Sequence, residues 1–193
     1  MKKILIIKSH PKKNSFCHAL ADKYIEGTKQ SKHTVKTLLL KDLNLGQFIT
    51  EDHKTKTTLT PELQKAQELI RWADHLVFAY PTWWATPPAL LKIFIEMVFE
   101  PGFAYKYHKS KGIIPKWDKL LAQKSARIIV TMDSPPLYHR LMAKNPGFHM
   151  MKDTLRFCGV KPVSKNYFGS VKMSSEKKRK KWLEKMYQVG LHE

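Results

Sequence analysis

The sequence predicts an α/β protein: a parallel sheet with helices on both sides. Three observations carry this prediction. Apolar runs alternate with amphipathic stretches along the 193 residues. One of the runs, Lys3 to Lys8, is continuously apolar between its ends, as in a strand covered on both faces. Thr60-Pro61 and Thr86-Pro87 each supply a threonine N-cap followed by a proline at the first helical position.

Each element follows from its local pattern. Lys3 to Lys8 is the first strand. Ser15 to about Gln30 is a helix, because Phe16, Leu20 and Tyr24 fall one turn apart. Thr34 to Leu40 is the second strand. Lys41 to Leu59 is polar and aperiodic, a long connection. The helix opened by Thr60-Pro61 buries Leu63, Ala66 and Ile70. Leu76 to Tyr80 is the third strand, and the helix opened by Thr86-Pro87 shares one face among Leu90, Phe94 and Val98. Ala126 to Thr131 is the fourth strand. A helix near Gly147 to Phe157 leads through Gly159 to a fifth strand near Val163 to Phe168. The terminal helix starts at Ser174 or Ser175, with Glu176 favourable in its first turn.

The length suits a single domain spanning 1–193. No apolar run approaches the roughly 20 residues that cross a bilayer. The basic start followed by four apolar residues reads as a buried strand, since no small-residue cleavage site follows, and the expected compartment is the cytoplasm. Cys17 and Cys158 have no metal or redox spacing and read as core residues. The formal charge of +19 is the compositional outlier. It attracts polyanions, but no zinc-finger, RNA-recognition or recognition-helix pattern accompanies it, so nucleic acid is not the expected partner. The densest run, Lys177-Lys178-Arg179-Lys180-Lys181, precedes Trp182, Met186 and Val189 at helical spacing and reads as the wet face of a helix.

Ligands of such sheets bind at the carboxyl ends of the strands, and three loops there carry chemistry. The first runs from Ser9 to Ser15. His10, the Ser15 hydroxyl and the N–H groups of Phe16 and Cys17 at a helix start suit a phosphate. Neither GxGxxG nor the phosphate-loop lysine motif is present. The second loop is Pro81-Thr82-Trp83-Trp84-Ala85-Thr86. Its backbone and indoles suit a flat heterocycle, and equally a core or oligomer contact. The third, Thr131-Met132-Asp133-Ser134-Pro135-Pro136-Leu137-Tyr138, is stiffened by two prolines. It offers hydroxyls at Thr131 and Ser134 and a phenol at Tyr138. His139 is a candidate proton relay.

Together these residues resemble the flavodoxin-like NAD(P)H:quinone oxidoreductases, the DT-diaphorase-like family. The resemblance rests on Tyr80-Pro81-Thr82-Trp83-Trp84, Pro88, Leu90-Leu91-Lys92 and Phe103-Ala104-Tyr105-Lys106-Tyr107. His10…Ser15-Phe16 supports it, as does the weaker match from Thr131 to Tyr138. It implies a three-layer sandwich with a five-stranded sheet in the order 2-1-3-4-5, and a homodimer with shared active sites. His10, Ser15, Phe16 and Cys17 would hold the flavin phosphate. Pro81, Thr82, Trp83, Trp84 and Ala85 would meet the ring, and Thr131, Met132, Asp133, Ser134 and Tyr138 would complete the cradle. Tyr105 and Tyr107 would cover the neighbour's flavin. FMN is the implied cofactor, with FAD possible and NAD(P)H as co-substrate. The implied reaction is ping-pong hydride transfer to a quinone. The alternatives are an azo- or nitroreductase on the same fold and a flavin-binding regulatory partner of a membrane transporter. The family's third loop is commonly glycine-rich; here Met132 to Pro136 replaces it, and Asp133 brings a carboxylate towards the ring.

Overall fold

The computed structural model describes residues 1–45, 59–108 and 115–193. Most of the expected long connection, 46–58, lies outside the described residues. Along the chain run β1 (Lys3–Lys8), α1 (Phe16–Gln30), β2 (Thr34–Leu39), α2 (Pro61–Trp72), β3 (His75–Pro81) and α3 (Ala89–Val98). They are followed by β4 (Tyr105–Tyr107), β5 (Trp117–Lys119), β6 (Ser125–Thr131), α4 (Pro136–Leu141), α5 (Pro146–Phe157), β7 (Val163–Phe168) and α6 (Glu176–Leu191). A 3₁₀ turn, Leu40–Asp42, follows β2.

The main sheet is parallel throughout, in the order β2-β1-β3-β6-β7. Counting only its own strands, this is the expected order 2-1-3-4-5. β4 and β5 form a separate antiparallel pair, with Lys106 opposite Asp118, that the sequence reading did not foresee. Both strands have three residues, too short for a periodic signal. Every residue of β3 is buried, which places it at the sheet centre, while β2 is largely exposed at the edge.

Two cores lie on opposite faces of the sheet. One joins Leu5, Ile7, Leu76, Phe78 and Ile128 to Leu63 and Ile70 of α2, Phe94 of α3 and Met151 of α5. The other joins Ile4, Ile6, Val77, Ala79 and Ile129 to Leu20 and Tyr24 of α1 and Met186 of α6. The alternation of β1 between the two, Ile4 and Ile6 against Leu5 and Ile7, is why its sequence is continuously apolar. No helix among the described residues is long and apolar enough to cross a membrane.

One helix boundary and one whole helix differ from the sequence reading. α3 starts at Ala89, not at Thr86-Pro87. The Thr86 hydroxyl donates to the Trp83 carbonyl (3.2 Å) instead of capping a helix. α4 was missed, because Pro135-Pro136 reads as loop, although proline is well placed at a helix start.

Candidate functional site

β1, β3 and β6 end side by side, so the loops that follow them converge at one edge of the sheet. There they enclose a cleft of about 200 Å³ lined by His10, Ser15, Phe16, Cys17, Pro81, Thr82, Trp83, Thr131, Met132, Asp133 and Val171. Ten of the sequence-predicted residues thus meet on one surface. Trp84, Ala85, Ser134 and Tyr138 belong to the same loops but do not line it. Val171 was not foreseen. It follows the carboxyl end of β7, so the rule that selected the other three loops would have found it.

At one end of the cleft α1 begins. Ser15 is its N-cap and accepts from the His18 N–H (3.2 Å). The helix geometry leaves the N–H groups of Phe16 and Cys17 without intrahelical partners. His10 Nδ1 accepts from the Lys12 N–H (2.9 Å). Burial, then the neighbouring His18 and Lys12, hold the His10 pKa below its ordinary value. The neutral ring therefore carries its proton on Nε2, free to donate. This set of donors, with no carboxylate on the loop, fits a phosphate. Cys17 contributes its backbone only: burial pushes its thiol up to about 12, so it is no thiolate at neutral pH.

Beneath this end, the Lys8 ammonium, buried at the end of β1, donates to Asp22 of α1. His18 donates from Nδ1 to the Lys13 carbonyl (2.9 Å), leaving its buried Nε2 without a partner. His10 stands edge-on to both His18 (6.0 Å) and Trp83 (5.6 Å) and so links the first loop to the second.

The second loop is a tight hairpin. Trp83 N–H donates to Thr86 O (2.8 Å) and Thr86 N–H to Trp83 O (3.0 Å). Between them Trp84 and Ala85 take φ of 49° and 63°. Both central residues at positive φ make the turn of a primed type, which favours Asn and Gly. Tryptophan and alanine are strained there. Burial does not repay the strain, since Trp84 is 99% exposed. Strain held in place without local packing gain is concentrated at functional sites.

Two bonds hold the hairpin. Thr82 N–H donates to Thr131 O (2.7 Å), and Gly147 N–H donates to Ala85 O (3.1 Å). A Cβ at Gly147 would stand 3.0 Å from that same oxygen.

The third loop is pinned to the segment after β7. Met132 N–H donates to Phe168 O (2.9 Å), and Val171 N–H donates to Met132 O (3.2 Å). Asp133 Oδ1 accepts from Lys172 N–H (3.0 Å). Asp133 therefore lines the cleft with one oxygen already engaged. His139 is buried in a separate void of about 10 Å³ beside Ala85, Gly147 and Tyr80, outside the cleft. Tyr138 is exposed and meets His139 edge-on at 6.1 Å.

Tyr105 and Tyr107 sit on the β4–β5 hairpin and do not reach the cleft of their own chain. Their rings meet at 5.3 Å, Tyr105 packs edge-on to Phe157 at 5.0 Å, and Trp117 stacks on Phe157 at 4.7 Å. Burial, then the neighbouring Tyr107, raise the Tyr105 pKa, which keeps the phenol protonated.

The chain is similar to known proteins along nearly its whole length. It is 25% identical over 186 residues to an uncharacterized NAD(P)H oxidoreductase of Haemophilus influenzae, covering 93% of this chain and 90% of that one. It is 25% identical over 206 residues to the human ribosyldihydronicotinamide dehydrogenase [quinone], covering 93% and 86%. The crystal structure of Smu.1420 from Streptococcus mutans superposes with a TM-score of 0.84 at 32% identity, covering 99% of this chain and 100% of that one. A family model described as flavodoxin-like fold matches residues 2–189, and the chain belongs to that family.

Proposed function

We propose that this chain is a flavin-dependent NAD(P)H:quinone oxidoreductase that holds FMN in the carboxyl-edge cleft and works as a homodimer. One observation carries the reading. Three loops distant in sequence close on a single cleft lined by the phosphate-type donors of the first loop, by Thr82 and Trp83 of the second and by Thr131 to Asp133 of the third. The similarity to the quinone dehydrogenases supports the same reaction. A bound flavin supplies the hydride chemistry between nicotinamide and acceptor.

The chain supplies binding and orientation. His10 Nε2–H, the Ser15 hydroxyl and the N–H groups of Phe16 and Cys17 grip the phosphate. FMN, whose phosphate is terminal, matches a donor set of this size. Thr82, Trp83 and the Thr131–Asp133 segment flank the ring. Trp84 and Ala85 shape the hairpin, and Gly147 and His139 support it from beneath. Ser134 and Tyr138 border the entrance. Tyr105 and the half-exposed Tyr107 serve the cleft of a second copy, an arrangement supported by their absence from the lining of their own.

The test is reconstitution. Purified protein incubated with FMN and freed of unbound cofactor is expected to retain it and to oxidise NAD(P)H when menadione is supplied. Protein that retains neither FMN nor FAD would overturn the reading. Retention with turnover of an azo dye but not of quinones would replace the acceptor while keeping the cofactor.

A further inference from the structure

We propose that the rim formed by α4 and the loop after β7, beside the cleft, docks on an anionic lipid bilayer. α4 is turned inside out. Leu137, Tyr138, Leu141 and Met142 are 61%, 56%, 61% and 72% exposed, while His139 between them is buried. Positions i, i+1, i+4 and i+5 lie on one helix face, so the four form a single apolar stripe aimed at solvent. Met173, in the loop after β7, is 88% exposed.

That exposure is built into the fold. The loop is tied to the third cleft loop through Val171 and Lys172. The Arg179 guanidinium, donating to Val171 O (2.9 Å) and Ser174 Oγ (2.9 Å), holds it to the first turn of α6.

Exposed lysines lie on the adjoining segments: Lys144 after α4, Lys172 in the loop after β7, and Lys177 and Lys178 in the first turn of α6, the last with its ammonium 5.1 Å from the Trp182 ring. The acids of these segments are already engaged, Asp133 by the Lys172 backbone and Glu176 by Lys180 (2.8 Å). A protruding apolar stripe flanked by more cations than acids is the chemistry of an interfacial membrane contact. Side chains enter the headgroup–acyl boundary and ammonium groups meet lipid phosphates. Flexible leucine and methionine side chains suit a fluid surface better than a shaped protein partner. The overall charge of +19 steers the same encounter. The cleft opens at this edge, so an acceptor dissolved in lipid would reach it from the bilayer. That consequence rests on the quinone reading; the docking itself does not.

Flotation of the FMN-supplied full chain with vesicles tests the docking. Binding is expected to vesicles of equal phosphatidylglycerol and phosphatidylcholine, and not to phosphatidylcholine alone. It should fall at least about tenfold as the Debye length shrinks from about 30 Å to about 8 Å. Leu141→Glu with Met173→Glu is expected to abolish flotation while leaving menadione turnover in vesicle-free buffer within about twofold. Lys177→Ala with Lys178→Ala should cost about fivefold per lysine.

Equal flotation with neutral vesicles, or undiminished flotation of the Leu141→Glu/Met173→Glu protein, would overturn the proposal. Met173→Cys gives a third reading. Cys17 and Cys158 are buried with thiols raised to about 12, so a maleimide reports on position 173 alone. Labelling that is fast in buffer and slowed by anionic vesicles supports docking. Protection already present without lipid would assign the rim to self-association instead. Menadione turnover without vesicles is scored separately, so failure of docking and failure of the quinone reading are distinguishable.

Discussion

At the scale of single residues, the site shows itself by where chemistry and conformation disagree. Ala85 sits at φ 63° with its carbonyl fixed by Gly147. Ala85→Gly removes a left-handed cost of about 1–2 kcal/mol and adds about 0.5–1 kcal/mol of unfolded-chain entropy. A net gain of about 0.5–1 kcal/mol in urea unfolding is therefore expected. His10 predicts a different asymmetry. Its Nε2–H is the side-chain donor left free, and a hydrogen bond to a charged group contributes about 1.5–3 kcal/mol. His10→Ala should weaken FMN about 10–100-fold in a fluorescence titration and leave riboflavin, which lacks the phosphate, nearly unchanged. Equal losses for both flavins would remove His10 from the phosphate site. Most of these residues were legible in the sequence, because a strand end followed by a polar helix start is a local pattern. What was not legible is conformational. Nothing in Trp84-Ala85 announces positive φ, since the usual glycine or asparagine is missing, and the turn exists only because Thr131 and Gly147 hold it from other elements.

At the scale of elements, legibility tracked burial. The three central strands β1, β3 and β6 and the long helices were readable because each buries an apolar run or a helical stripe in the two cores. α4 and the β4–β5 hairpin were not, being short and carrying apolar residues that face outward. The contact between α1 and α6 shows what a stripe alone does not reveal. A Cβ at Gly27 would stand 2.1 Å from Tyr187 O, and one at Gly190 would stand 2.2 Å from Tyr24 O. The helices thus cross backbone to backbone, and neither oxygen is a movable side-chain end. Gly27→Ala and Gly190→Ala should each destabilise the protein by about 1–3 kcal/mol through overpacking. Because α1 begins at the phosphate end of the cleft, both should also loosen FMN binding more than NAD(P)H binding. A chemical-denaturation midpoint unchanged by either substitution would refute the close crossing.

At the scale of the whole molecule, the sheet has two ends with opposite electrostatic logic. The carboxyl end gathers donors and leaves them open for a ligand. The amino end closes a knot: Glu193 receives Arg127 Nε (2.7 Å) and faces His75 Nε2 (3.4 Å), while His75 Nδ1 meets Ser125 Oγ (2.6 Å). Burial is the largest influence on His75 and lowers its pKa from 6.5 to about 4, against the opposing pull of Glu193. Glu193 is lowered as well: burial would raise it, but His75 and then Arg127 outweigh that effect. Both shifts act in one direction. Each group binds protons more readily in the unfolded chain, so stability is full above about pH 6.5 and is lost as pH falls through the folded values. For His75 alone the slope approaches about 1.4 kcal/mol per pH unit between about 6.5 and 4. Urea unfolding measured across this range should show that decline. His75→Gln, which keeps a polar partner for Ser125 but cannot titrate, should flatten the upper part of the curve and leave the Glu193 contribution below about pH 4.5. If His75→Gln leaves the decline from 6.5 to 5 unchanged, the acid sensitivity belongs elsewhere and the amino-end knot is only a packing feature.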